Sequence, residues 1–153
     1  MKGHCSCGRI RYRLTDTPLF THACHCTWCQ RETGGPHAIN AMIETDRIEI
    51  LHGEPMEITT PSASGKGQII LRCPDCCVAL WSHYAGAGRK VAFVRVGTLD
   101  DPAAFPPDIH IFTSTKLPWY LIPEGVPAVA EYYSRADYWT PEALSRREAL
   151  LKS

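Results

Sequence analysis

Residues 68–84 read QIILRCPDCCVALWSHY, two runs of strand character on either side of a cysteine turn. QIILRC (68–73) and VALWSHY (78–84) are rich in β-branched, aliphatic and aromatic residues over strand-like lengths. Pro74 restricts the chain just after Cys73, so the tight turn can aim Cys73 and Cys76 at one point. Strands punctuated by paired thiols set the question for the rest of the chain.

Working outward, RIRYRL (9–14) alternates Ile10, Tyr12 and Leu14 against three arginines, the period of a half-buried strand. Further strands are expected at AINAMI (38–43), RIEIL (47–51), MEITT (56–60), VAFVRVG (91–97) and IHIF (109–112), with breaks at HGEP and SASGKG. Most gaps are too short for the crossover helices of a parallel sheet. The expected class is therefore mainly β, an antiparallel β-sandwich or partly open barrel of short strands. One or two helical turns are expected at 27–33. A C-terminal helix is expected at 140–152, TPEALSRREALLK, with Thr140 as cap, Pro141 in the first turn and Glu142 near its positive end. Its Ala143, Leu144, Arg147 and Leu151 share one face and are expected to dock on the sheet or on a second subunit. The Pro-rich stretches DPAAFPPD and LPWYLIPEGVP carry apolar and aromatic residues and read as ordered connections. With no repeat or boundary visible, residues 1–153 are expected to form a single domain.

A chain of 153 residues can bury about two-thirds of its extended surface, so it needs no disulfides to fold. Hydrophobic residues make up 44% but form no run long enough to cross a membrane. The first cysteine is already Cys5, which leaves no signal peptide before it, so a cytoplasmic location with reduced thiols is expected. Sixteen basic and sixteen acidic side chains cancel, which argues against a nucleic-acid partner despite a basic edge at Lys2, Arg9, Arg11 and Arg13.

The eight cysteines fall into CSC (Cys5, Cys7), CHCTWC (Cys24, Cys26, Cys29) and CPDCC (Cys73, Cys76, Cys77). Zinc held by sulfur takes four ligands in a tetrahedron. Cys5 and Cys7 with Cys73 and Cys76 make a closed structural set that would tie the N-terminal edge to a distant turn. Cys24, Cys26 and Cys29 are then left as three ligands with a fourth position open for chemistry. Other readings stay open here: His25, His22, His4 or a carboxylate could close the second site, Cys5 and Cys7 could pair with Cys26 and Cys29, and CTWC could be a redox pair. Cys77 is expected to be a small buried side chain.

Taken in order, GHCSCGRIRY, HACHCTWCQRETGG, LRCPDCC, HIFTSTKLPWYLI and PEGVP resemble the glutathione-dependent formaldehyde-activating enzyme family. That group includes the centromere protein V domain and has an Mss4-like fold; the resemblance covers about residues 3–132. It implies two zinc ions per chain, a structural one on Cys5, Cys7, Cys73 and Cys76 and a catalytic one on Cys24, Cys26 and Cys29. It also implies a carbon–sulfur lyase resembling S-(hydroxymethyl)glutathione synthase, with a small thiol such as glutathione and formaldehyde or another small aldehyde as partners. A non-catalytic zinc-binding interaction module is the alternative. Two positions depart from the family pattern: Cys77 replaces the glycine that usually closes the CPxC turn, and Gln30, followed by Arg31, stands where a basic residue is common. Lys116, Trp119 and Arg31 are the candidates for holding substrate, and His25 and His37 for moving protons.

Overall fold

A computed structural model describes residues 1–153. In chain order the elements are β1 (Lys2–His4), β2 (Arg11–Leu14), β3 (Phe20–Cys24), α1 (Thr27–Thr33), β4 (Ala38–Glu44), β5 (Ile48–His52), β6 (Met56–Thr60), β7 (Gln68–Arg72), β8 (Ala79–Tyr84), β9 (Val91–Arg95), β10 (Ile109–Ile111), α2 (Arg135–Tyr138) and α3 (Pro141–Lys152). β1, β2 and β5 form a small antiparallel sheet; the other seven form a large sheet ordered β10-β3-β4-β9-β8-β7-β6. No helix is long and apolar enough to cross a membrane.

The middle of the large sheet is buried on both faces, and β9 shows how. Val91 and Phe93 enter one apolar cluster with Phe20, Met42, Ile109 and, from the C-terminal helices, Trp139 and Ala143. The alternate residues Ala92 and Val94 enter a second cluster with Tyr12 and Leu14 of the small sheet, with Ile10 just before it and with Leu80 and Trp81 of β8. Small sheet, large sheet and helices therefore stack as layers, and the doubly covered strand reads as a continuous apolar run.

Three expectations need correction. The sheet is not wholly antiparallel, because β10 runs parallel to β3, with Ile109 opposite His22 and Ile111 opposite Cys24. The long stretch of chain between those strands supplies the crossover that a parallel pair requires. Nor does the large sheet close into a barrel: its end strands β10 and β6 do not pair with each other, and β10 is instead flanked by the 127–129 segment, the His110 amide donating to the Pro127 carbonyl at 2.8 Å. On α3, Leu151 is exposed, while Leu144 and Leu150 pack on the core beside buried Ala143. The cap itself is as expected: Thr140 Oγ1 accepts from the Ala143 amide at 3.2 Å.

Candidate metal centre and its cavity

The CSCG and CPDCC segments meet at the edge of the two sheets. Gly8 at φ 76° turns the first segment, and Cys77 at φ 60° turns the second, its amide donating to the Cys73 carbonyl at 3.0 Å. The four Sγ atoms of Cys5, Cys7, Cys73 and Cys76 all lie within 4.8 Å of one another. Cys7 Sγ is 3.5 Å from Cys5 Sγ and 3.6 Å from Cys73 Sγ. Zinc–sulfur bonds of about 2.3 Å in a tetrahedron set neighbouring sulfurs roughly 3.8 Å apart, so the set fits that ion. Cys76 is already disposed to ionise, its thiol held down to about 6 by the Val78 amide and then the Cys7 amide. Cys77 belongs to neither sulfur set and is exposed, contrary to the buried position expected of it, because its left-handed backbone points the side chain out of the turn.

The second set sits where β3 gives way to α1. Cys24 ends the strand, Cys26 caps the helix by accepting from the Cys29 amide at 3.4 Å, and Cys29 lies in the first turn of α1, whose far end is closed by Gly34 at φ 68°. All three are buried, and their Sγ atoms lie within 4.8 Å of one another with no histidine or carboxylate atom joining them at that distance. Hydrogen bonds from Cys24 and then Cys29 hold the Cys26 thiol down to about 2, while the neighbouring Cys26 and Cys29 push Cys24 far upward. One proton leaves such a cluster easily and the others do not. A divalent cation among the sulfurs removes that conflict by making all three thiolates favourable, so this donor set also fits zinc.

These three sulfurs border a cavity of about 420 Å³. Trp28, Tyr84, Phe93 and Tyr132 give it apolar walls, and His22, Asn40 and Arg95 give it polar ones. Arg95 is only 8% exposed. Its guanidinium donates to Asn40 Oδ1 and, at 3.0 Å, to Ser82 Oγ, while its Nε has no partner. A buried cation satisfied only by neutral groups raises the local potential beside the sulfurs.

The expected substrate and proton-transfer residues are placed elsewhere. Lys116 turns back on its own loop, donating to the carbonyls of Tyr120 at 2.7 Å and Leu117 at 3.1 Å, and Trp119 is 68% exposed. Arg31 is exposed on α1, and none of the three lines the cavity. His25 and His37 do not line it either. His25 shares a 2.8 Å hydrogen bond with His110, and its ring packs 4.9 Å from that of His37 and 5.1 Å from that of Tyr120. Gln30 has a structural use: its Nε2 donates to the carbonyls of His25 and Thr115, each at 2.9 Å. None of the cavity's basic residues, Lys66, Arg95, Arg135 and Arg147, was a substrate candidate from the sequence, and Arg147 stood out there only as part of the docking face of the C-terminal helix. Arg95 left a different signal, a charge inside the apolar run VAFVRV.

A family model described as "Glutathione-dependent formaldehyde-activating enzyme" matches residues 1–115. No curated protein matches the chain. Among solved structures, the crystal structure of a Rhodobacter sphaeroides protein is similar, at 20% sequence identity and a TM-score of 0.50, over 65% of this chain and 88% of that one.

Proposed function

The chain belongs to the glutathione-dependent formaldehyde-activating enzyme family, and on that premise we propose that it forms or cleaves adducts between a small thiol and a small aldehyde. Glutathione or an analogue is the thiol and formaldehyde or a close relative the aldehyde in this reading. The observation that carries it is the placement of three buried, mutually adjacent thiols on the wall of a cavity, with no fourth protein ligand beside them. Cys24, Cys26 and Cys29 would hold the catalytic zinc; Cys5, Cys7, Cys73 and Cys76 would hold a structural one. The sulfur clasp between the N-terminal edge and the β7–β8 turn supports an Mss4-like arrangement, with residues 1–153 acting as one domain.

Zinc bound by three thiolates would supply an affinity for a further sulfur, keeping a substrate thiol ionised at neutral pH, rather than strong polarisation of a carbonyl. The substrate sulfur adds its electron pair to the aldehyde carbon, the π pair of the C=O bond moves to oxygen, and that oxygen takes up a proton; cleavage is the reverse. The chain's own residues prepare this step. Cys26 and Cys29 are fixed by the helix start and Cys24 by the strand, and Trp28 and Phe93 give the sulfurs an apolar surround. Arg95 offsets the negative charge that three thiolates and a substrate thiolate accumulate.

The test is exchange spectroscopy of labelled formaldehyde with glutathione and the zinc-loaded protein. Interconversion faster than the uncatalysed rate, lost in Cys29→Ser, is expected. Thiol binding with interconversion at the background rate would contradict turnover and leave a non-catalytic zinc-binding module in its place.

A further inference from the structure

The family match ends at residue 115, yet two arginines beyond it reach the cavity, Arg135 at the start of α2 and Arg147 on α3. Resting on the reading of that cavity as the thiol site, we propose that Arg135 and Arg147 bind an oxyanion on the substrate, so that the enzyme selects thiols bearing a carboxylate or phosphate.

The two guanidiniums have no anion of their own. Neither makes an ion pair or donates a hydrogen bond inside the protein, although both side chains are half-buried. The adjacent Arg146 shows the contrast: it is committed to Glu44, and Arg147 one position on is left free. Arg135 is held by aromatic faces, its Cζ 5.7 Å from the Tyr132 ring centre and 5.8 Å from that of Trp139, which keeps its N–H donors available. Burial first, and then Arg135, pull the Arg147 guanidinium below its ordinary value, so the two cations feel each other. Lys66 and Arg95 line the same space. The only carboxylate there, Glu32, is already paired with Arg72. With Arg95 set against the thiolates, Lys66, Arg135 and Arg147 remain as a local positive excess that an oxyanion would relieve, and the planar forks of arginine suit carboxylate and phosphate alike.

The test uses the full zinc-loaded chain at low salt. Calorimetric titration with succinate and with inorganic phosphate reads anion binding free of thiol chemistry. Titration with mercaptosuccinate and 2-mercaptoethanol gives the preference for an anionic thiol as a ratio of affinities. A ratio of about tenfold or more is expected, falling severalfold in Arg147→Gln or in Arg135→Gln and close to one in the double variant. Arg135→Lys should recover part of it, and Arg89→Gln, in the exposed pair with Glu57, should leave it intact. Arg147 has no internal partner, so its variant tests the idea even if the Arg135 variant misfolds. Tighter succinate than phosphate assigns a carboxylate; the reverse assigns a phosphate. Equal affinity for the two thiols with no binding of either anion overturns the inference, as does a preference that survives both substitutions. Arginine-dependent succinate binding without binding of any thiol would overturn the proposed reaction and the thiol selection together, whereas an arginine-dependent preference for mercaptosuccinate without turnover would remove the reaction and leave this inference standing.

Discussion

Arg146 on α3 grips Glu44 at the end of β4 through two hydrogen bonds, Nε to Oε1 at 2.8 Å and Nη2 to Oε2 at 2.6 Å. The two side chains are only 15% and 5% exposed. A third bond, from Arg146 Nη1 to the Thr17 carbonyl at 3.0 Å, completes the anchor that holds the C-terminal helix over the sheet and so sets Arg147 against the cavity.

Removing that anchor leaves Glu44 buried, with only the more distant Arg47 Nε at 3.6 Å. Arg146→Ala is therefore expected to lower stability by about 3 kcal/mol, because an uncompensated buried carboxylate costs more than the pair contributes. Urea unfolding at neutral pH measures this. A midpoint equal to that of the wild type would show that α3 is not held through Glu44.

Cys77 occupies a left-handed backbone conformation at φ 60° that glycine adopts without strain. Cys77→Gly is expected to raise stability by about 0.5–1 kcal/mol, the relief of strain being partly offset by the freer unfolded chain. Zinc per chain should not change, since Cys77 stands outside both sulfur sets. Thermal unfolding in excess zinc and reductant, with metal analysis, checks both halves. Loss of zinc would make Cys77 a ligand.

The two sulfur sets should respond differently to loss of one ligand. Cys73→Ser removes a fully buried member of the set that ties the N-terminal edge to the β7–β8 turn, and much of the protein should be unfolded or insoluble. Cys29→Ser should empty the cavity site, abolish thiol-dependent turnover and leave one zinc with cooperative unfolding. Metal analysis and circular dichroism of the soluble fractions decide. The reverse pattern would exchange the roles of the two sites, and loss of both metals in either variant would show that they are not independent.

Lys116 has exchanged a substrate role for a local one. Its ammonium satisfies two backbone carbonyls, so Lys116→Ala is expected to cost about 1 kcal/mol of stability and to leave the preference for anionic thiols unchanged across salt concentrations. A marked fall in that preference at low salt would return Lys116 to the substrate site.

What the sequence made legible follows the range of the forces involved. β2 was readable because Tyr12 and Leu14 alternate with exposed arginines, and the sulfur clusters because one- or two-residue spacings bring thiols together by local geometry alone. β3 was not, because FTHAC is buried at all five positions and carries Thr, His and Cys where an alternating strand would show a pattern. Its parallel pairing with β10 depends on the path of the whole intervening chain. The cavity cations were hidden for a similar reason: Arg135 and Arg147 come to line the cavity only through docking of the C-terminal helices, and the helical spacing that marked Arg147 as part of a docking face did not say what it would face. Lys116 beside Trp119 looked like a clamp because adjacency in sequence gives no direction. The fold turns the lysine to its own loop and the tryptophan outward.

The central claim is that three protein sulfurs hold a metal with room for a substrate sulfur, and replacing zinc by cobalt measures it directly. Titration with glutathione should change the cobalt ligand-field spectrum and strengthen the sulfur-to-cobalt charge-transfer absorption, saturating at one thiol per chain. The change should be absent from Cys29→Ser. A cavity site already showing four ligands, with a spectrum that no thiol alters, would contradict the account.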